Sequence, residues 1–172
     1  MKIRPEKYVD RASIRALLED AFPSPLEANL VEKLRETEAY LPELALVAEL
    51  ESGEVAGFLL LTKASIAQEN QNQEILVLAP LAVLTSKKHQ GIGSKLVEAG
   101  ITSARKARFP GISVLGHASF YSRFGFQKAK IYGIEAPFPV DEEHWMVLGF
   151  PGQNLEGVAG KLIYPQPFLE ME

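Results

Sequence analysis

The stretch Lys87-Lys88-His89-Gln90-Gly91-Ile92-Gly93-Ser94 holds two ammonium groups, an imidazole, two glycines and a hydroxyl within eight positions. These are the residue types of a polyanion site, and the main chain would do most of its chemistry. The first N–H groups of a helix have no internal partner, and the aligned peptide dipoles leave that end partly positive. Gly91 and Gly93 carry no Cβ, so a phosphate can approach the backbone there. Spacing excludes two familiar phosphate motifs. A P-loop needs Gly-x-x-x-x-Gly-Lys-Ser/Thr, but the order here is Gly93-Ser94-Lys95 with no earlier glycine in register. A dinucleotide fingerprint needs Gly or Ala where Leu96 stands. A lone Gly-x-Gly also serves as a plain strand-to-helix turn, and charge favours the anion reading over that one. Residues 87–130 hold nine basic side chains and one acidic one, Glu98, in a chain of 18 Lys+Arg and 22 Asp+Glu. The turn therefore lies in the one strongly positive part of an acidic protein.

The flanking pattern says what positions this turn. Ile75 to Leu84 is apolar on both faces, as in a strand buried in mid-sheet. Pro80 interrupts it and marks a bulge or a point where strands part. Ile92, Leu96, Gly100 and Ala104 recur at helical spacing beside Val97 and Ile101, and Pro110-Gly111 ends the run. Ile112 to Leu115 is a second short strand. A strand–helix–strand crossover makes the two strands parallel. A short helix, Ala118 to Phe124, follows, with Gly125 suited to its C-terminal cap. Its spacing predicts Phe120 and Phe124 on the core face and Tyr121 off it.

Elsewhere the sequence predicts a first strand at Lys2–Arg4, a helix N-capped by Asp10 and running to Phe22, and a second helix from Leu26 to Glu38. Strands are expected at Leu44–Leu50 and Glu54–Thr62, then an exposed loop at Ala67–Gln73. Late strands are expected at Phe126–Ile131, Glu143–Leu148 and Lys161–Tyr164. At 172 residues and 47% hydrophobic, the chain fits one α/β domain, 1–172. There is no apolar run long enough to span a bilayer and no signal-peptide pattern, so a cytoplasmic protein is expected. With no cysteine and three scattered histidines, no metal site is expected. Overall acidity argues against nucleic-acid binding.

Leu81-Ala82-Val83, then Lys88-His89-Gln90-Gly91-Ile92-Gly93-Ser94, then Phe120-Tyr121-Ser122-Arg123-Phe124-Gly125-Phe126 resemble the GCN5-related N-acetyltransferase (GNAT) family. The form is similar to a bacterial subgroup of predicted acetyltransferases, and the resemblance spans nearly the whole chain. Three positions depart from the family pattern. Lys88 stands where Gln or Arg is usual, His89 where Gly is common, and Gly116-His117 where an Asn is usual. The resemblance implies a mixed, mostly antiparallel sheet with one parallel pair and helices on both faces. It implies acetyl-CoA as donor, no metal, and a primary amine on a small molecule or peptide as acceptor.

The implied roles follow. Backbone groups at Leu81, Ala82 and Val83 would polarise the thioester carbonyl and bind the pantetheine. Lys88, His89, Gln90, Gly91, Ile92, Gly93 and Ser94 would hold the pyrophosphate. Tyr121 would protonate the departing thiolate. The amine's base is open between Glu74 and His117, each acting through water. Asp141, Glu142 and Glu143 form either a solvated loop or an acceptor lining. A non-catalytic acyl-CoA-binding module on the same fold is the alternative, and a nucleotide-binding protein is a third option that the failed motifs disfavour. Oligomeric state stays open, with a homodimer among the options.

Overall fold

The computed structural model describes residues 1–153, 155 and 157–171. Its strands are β1 (Lys2–Pro5), β2 (Tyr40–Glu49), β3 (Val55–Ile66), β4 (Gln73–Val83), β5 (Gly111–Leu115), β6 (Gln127–Lys128), β7 (Ile134–Glu135), β8 (Trp145–Gly149) and β9 (Gly160–Ile163). The helices are α1 (Arg11–Ala21), α2 (Leu26–Leu34), α3 (Ile92–Lys106), α4 (Ala118–Tyr121) and α5 (Gln166–Leu169).

The period-two alternation of the long strands builds two cores at once. Leu59 and Leu61 of β3 point to the face covered by α3, where they meet Leu96, Val97 and Ala104. Phe58 and Leu60 point to the opposite face and pack on Ile14, Leu17, Leu18 and Leu30 of α1 and α2. The sheet runs β1-β2-β3-β4-β5-β8-β6. It is antiparallel except between β4 and β5, the expected parallel pair. A further two-residue parallel ladder joins β7 to β9, and β9 also pairs with the end of β3.

Several expected boundaries move for local reasons. Asp10 precedes α1, but its side chain does not cap it. The carboxylate instead accepts from the Arg4 guanidinium at 2.7 and 3.0 Å and from the Lys7 amide at 2.7 Å. The neighbouring Arg4 holds its pKa below the usual carboxylate range. Helix α2 stops at Leu34, short of Glu38, because the Thr37 hydroxyl donates to the Leu34 carbonyl at 2.8 Å and turns the chain. Just beyond, Arg35 pairs with Glu6 at 2.6 Å, and the Tyr40 hydroxyl donates to the same carboxylate at 2.5 Å. The strand expected over Phe126–Ile131 shrinks to Gln127–Lys128. From Ala129, which is fully buried, the chain coils into a 3-10 turn ending at Gly133, φ 73°.

Candidate active site

Strands β4 and β5 are partners at only two positions, Leu76↔Ile112 and Val77↔Ser113. Beyond them the strands diverge. On the other side of β4, Leu59 pairs with Leu81 and Leu61 with Leu78, so Ala79 and Pro80 together oppose Leu60. That is a β-bulge, and bulges bend the strand that carries them. The bulge falls where β4 leaves β5.

Two hollows open at the divergence and share Leu81 as a wall. The larger, about 770 Å³, lies against the start of α3 and is lined by Leu81, Ala82, Val83, Lys88, His89, Gly91, Ile92, Gly93 and Ser94. Gln90 is exposed and lies outside this lining. Gly91 caps α3 at φ 80°, a left-handed conformation that a side chain resists. The first helical bond runs from the Lys95 amide to the Gly91 carbonyl at 3.1 Å. The amides of Ile92, Gly93 and Ser94 are thus left at the positive end of the helix. A Cβ on Gly93 would meet only Val83 Cγ2 at 3.7 Å and Phe120 Cζ at 3.9 Å, so this glycine keeps the hollow open instead of relieving strain.

Lys87, His117, Phe120 and Arg123 complete the same hollow; the sequence offers His117 as a base candidate and Lys87 as part of the basic stretch, but Phe120 and Arg123 were not included in the site. The Arg123 guanidinium lies 4.8 Å above the Phe120 ring and 5.6 Å from that of Phe124, and it donates to Ser94 Oγ at 3.4 Å. Aromatic stacking thereby fixes a fork-shaped cation beside the helix end. Its signal was present in Phe120-Tyr121-Ser122-Arg123, read there as family pattern only. Lys87 ends a 3-10 turn, Thr85–Lys87, tied down by the Asp20 carboxylate, which accepts from the Thr85 amide at 2.8 Å and hydroxyl at 3.0 Å.

The smaller hollow, about 380 Å³, lies on the other side of Leu81 and is walled by Val77 to Leu81, Val114, Leu115 and Tyr121. Tyr121 does not sit as the helical spacing suggested. Its ring is buried, while Phe120 and Phe124 are only partly buried. Helix α4 lasts one turn and gives way to a 3-10 turn, Ser122–Phe124, so an α-helical wheel does not describe it. Tyr121 stands edge-on to Phe120 at 4.9 Å and Phe126 at 5.4 Å. Burial pushes its phenol pKa up to about 12. Gly116 makes room for it, since a Cβ there would lie 2.5 Å from Tyr121 Cε2.

The two base candidates are placed differently. His117 lines the larger hollow, its ring 5.8 Å from that of His144. Glu74 is exposed at the start of β4, opposite Ser65, and lines neither hollow. It is three residues, roughly 10 Å, short of Val77. Glu142 and Glu143 face solvent and pair with Lys130 at 3.2 Å and Lys128 at 3.9 Å. Among the described residues no cluster of His, Cys, Asp or Glu is placed to hold a metal ion, and no helix is long and apolar enough to cross a membrane.

A parted parallel strand pair beside a glycine-capped helix end is matched at family level: residues 42–128 fit the acetyltransferase (GNAT) domain. The chain belongs to the GNAT family. Among GNAT relatives, the uncharacterized N-acetyltransferase YjhQ of Escherichia coli K12 is 37% identical over 150 residues, covering 85% of this chain and 82% of that protein. The uncharacterized N-acetyltransferase YhbS of the same strain is 33% identical over 168 residues, covering 98% of each. The crystal structure of Escherichia coli YhbS in complex with CoA superposes with a TM-score of 0.89 at 31% identity, over 98% of this chain and 91% of that one. A GNAT acetyltransferase from Brucella melitensis in complex with acetyl-CoA gives 0.77 at 28% identity, over 97% of both chains.

Proposed function

We propose that this GNAT protein transfers acetyl from acetyl-CoA to a primary amine, with donor and acceptor entering from opposite sides of the gap between β4 and β5. The observation that carries this reading is the pair of hollows meeting at Leu81: one faces a helix N-terminus with fixed cations, the other a buried phenol. The pyrophosphate of the donor suits the amides of Ile92, Gly93 and Ser94, with Lys87, Lys88 and Arg123 as counter-charges. The freed edge of β4 at Leu81, Ala82 and Val83 can bond to the amides of an extended pantetheine arm and to the thioester carbonyl oxygen.

The amine nitrogen attacks the thioester carbonyl carbon, a C–N bond forms, and the C–S bond breaks. The amine proton passes to solvent, through His117 at the cleft wall or through water reaching Glu74. The Tyr121 hydroxyl donates to the departing sulfur. A phenol held near 12 stays protonated at neutral pH, so it is always available as a donor. A purely CoA-binding module would have no use for a phenol hydroxyl facing this hollow. A CoA thioester donor favours a cytoplasmic location.

The test has two arms. Millimolar acetyl-CoA should raise the melting temperature by mass action, and ATP and NADH should not. Thiol release from acetyl-CoA should then depend on an added amine. A shift with ATP or NADH and none with CoA would refute the reading.

A further inference from the structure

We infer that the smaller hollow selects a primary amine carried on an aromatic or branched aliphatic body, and that Glu27 holds its ammonium group. The inference rests on the proposed function and adds the acceptor's chemistry to it. The hollow's outer wall is Phe22, Leu30, Phe138, Tyr164, Phe168 and Met171. Phe138 stacks on Tyr164 at 5.5 Å, and Tyr164 packs on Phe168 at 5.2 Å, so α5 and its flanks close the pocket with aromatic faces. Among the described residues one carboxylate, Glu27 in the first turn of α2, lies with these apolar groups. Its Oε2 is buried with no hydrogen-bond partner among the described residues.

A buried carboxylate oxygen without a donor is costly, and native proteins retain such groups where a ligand completes them. Arg15, which reaches α2 from α1, is engaged by Glu19, Glu32 and Asn29. Among the described residues no Lys or Arg lines the hollow. The phenols of Tyr121 and Tyr164 are both driven upward by burial and stay neutral. Among the described residues the pocket therefore presents one carboxylate among aromatic side chains, a combination suited to an ammonium group. A carboxylate next to the acceptor amine would meet Glu27 with no compensating cation. About 380 Å³ accommodates a small molecule of this kind.

The experiment compares 2-phenylethylamine, L-phenylalanine and glycinamide as acceptors for the wild type and Glu27→Gln, with CoA affinity measured by calorimetry. The wild type should favour 2-phenylethylamine over the other two by at least about tenfold in kcat/KM, since the first comparison removes an adjacent charge and the second removes the apolar body. Glu27→Gln should raise the KM for 2-phenylethylamine about tenfold or more and narrow its advantage over L-phenylalanine. It should leave CoA affinity and melting temperature undiminished. Equal use of the three acceptors, use of none of them by protein that binds CoA, or an unchanged preference in Glu27→Gln overturns the inference. Wild-type protein that binds no CoA at all refutes the proposed function itself.

Discussion

Gly116→Ala tests whether the position of the Tyr121 ring governs turnover. The new Cβ would lie 2.5 Å from Cε2 and 3.1 Å from Cδ2 of Tyr121. Ordinary carbon contacts are about 3.5–4.0 Å, so the ring must retreat by roughly 1 Å. It cannot swing freely, because Phe120 and Phe126 pack against it edge-on at 4.9 and 5.4 Å. Overpacking of this kind costs about 1–3 kcal/mol, and in a chain of this length that lowers the melting temperature by about 3–9 °C. A misplacement of about 1 Å at a reacting group costs about 10²-fold in rate. Tyr121→Phe, which keeps the ring and removes the hydroxyl, should lower kcat by about 10²- to 10⁴-fold, with CoA affinity nearly unchanged. The double variant decides between position and stability. If Gly116→Ala acts by moving the hydroxyl, it should cost little further kcat once the hydroxyl is gone. The assay is steady-state thiol release on folded protein, with CoA binding measured separately. A Gly116→Ala enzyme within threefold of wild-type kcat, or one whose loss is undiminished in the Tyr121→Phe background, would show that the phenol's position does not set the rate.

Three further outcomes are expected. Gly93→Glu should fold normally, since its Cβ meets only ordinary contacts at 3.7 and 3.9 Å, yet lose CoA binding by calorimetry because a carboxylate then occupies the anion site. His89 holds φ 64°, so His89→Gly should relieve left-handed strain and raise stability by about 0.5–1 kcal/mol in urea titration; a fall would mean that the imidazole makes a stabilising contact. Tyr121 ionises near 10 in the unfolded chain and near 12 in the folded one. Above pH 10 the unfolded state binds fewer protons, so stability present below pH 10 is lost as pH rises towards 12. Tyr121→Phe should flatten that part of the stability–pH curve, and an identical slope in both proteins would count against the burial described for the phenol.

The glycine turn, its strand and its helix were legible because each is encoded locally. Two-faced apolarity gave β4, four-residue spacing gave α3, and the absence of Cβ atoms gave the open helix end. Pro80 pointed to a break in pairing without saying which neighbour was lost. The acceptor side was not legible, for a physical reason. Glu27 has the sequence context of an ordinary solvated charge early in an amphipathic helix. The hollow it lines is completed by Tyr164 and Phe168, more than 130 positions away in the chain. The two-residue strands β6 and β7 and the single-turn α5 are too short for any periodicity to register. Tyr121 was assigned to the wrong face because a wheel presumes a continuous α-helix.

The parting of β4 from β5 has a bearing on how the protein keeps in solution. From Leu78 to Val83, β4 offers backbone donors and acceptors to a neighbour that has left. Unpaired strand edges are templates for other chains, and proteins ordinarily blunt them at the rim of a sheet with charge, proline or cover. Here the edge is internal to the sheet, and at Leu81, Ala82 and Val83 it opens on a slot shared with the start of α3 and Phe120. A molecule lying in that slot is a strand as far as the backbone is concerned. Occupied protein should therefore withstand mild heating and concentration with less aggregation than empty protein, and the difference should exceed what its higher melting temperature alone accounts for.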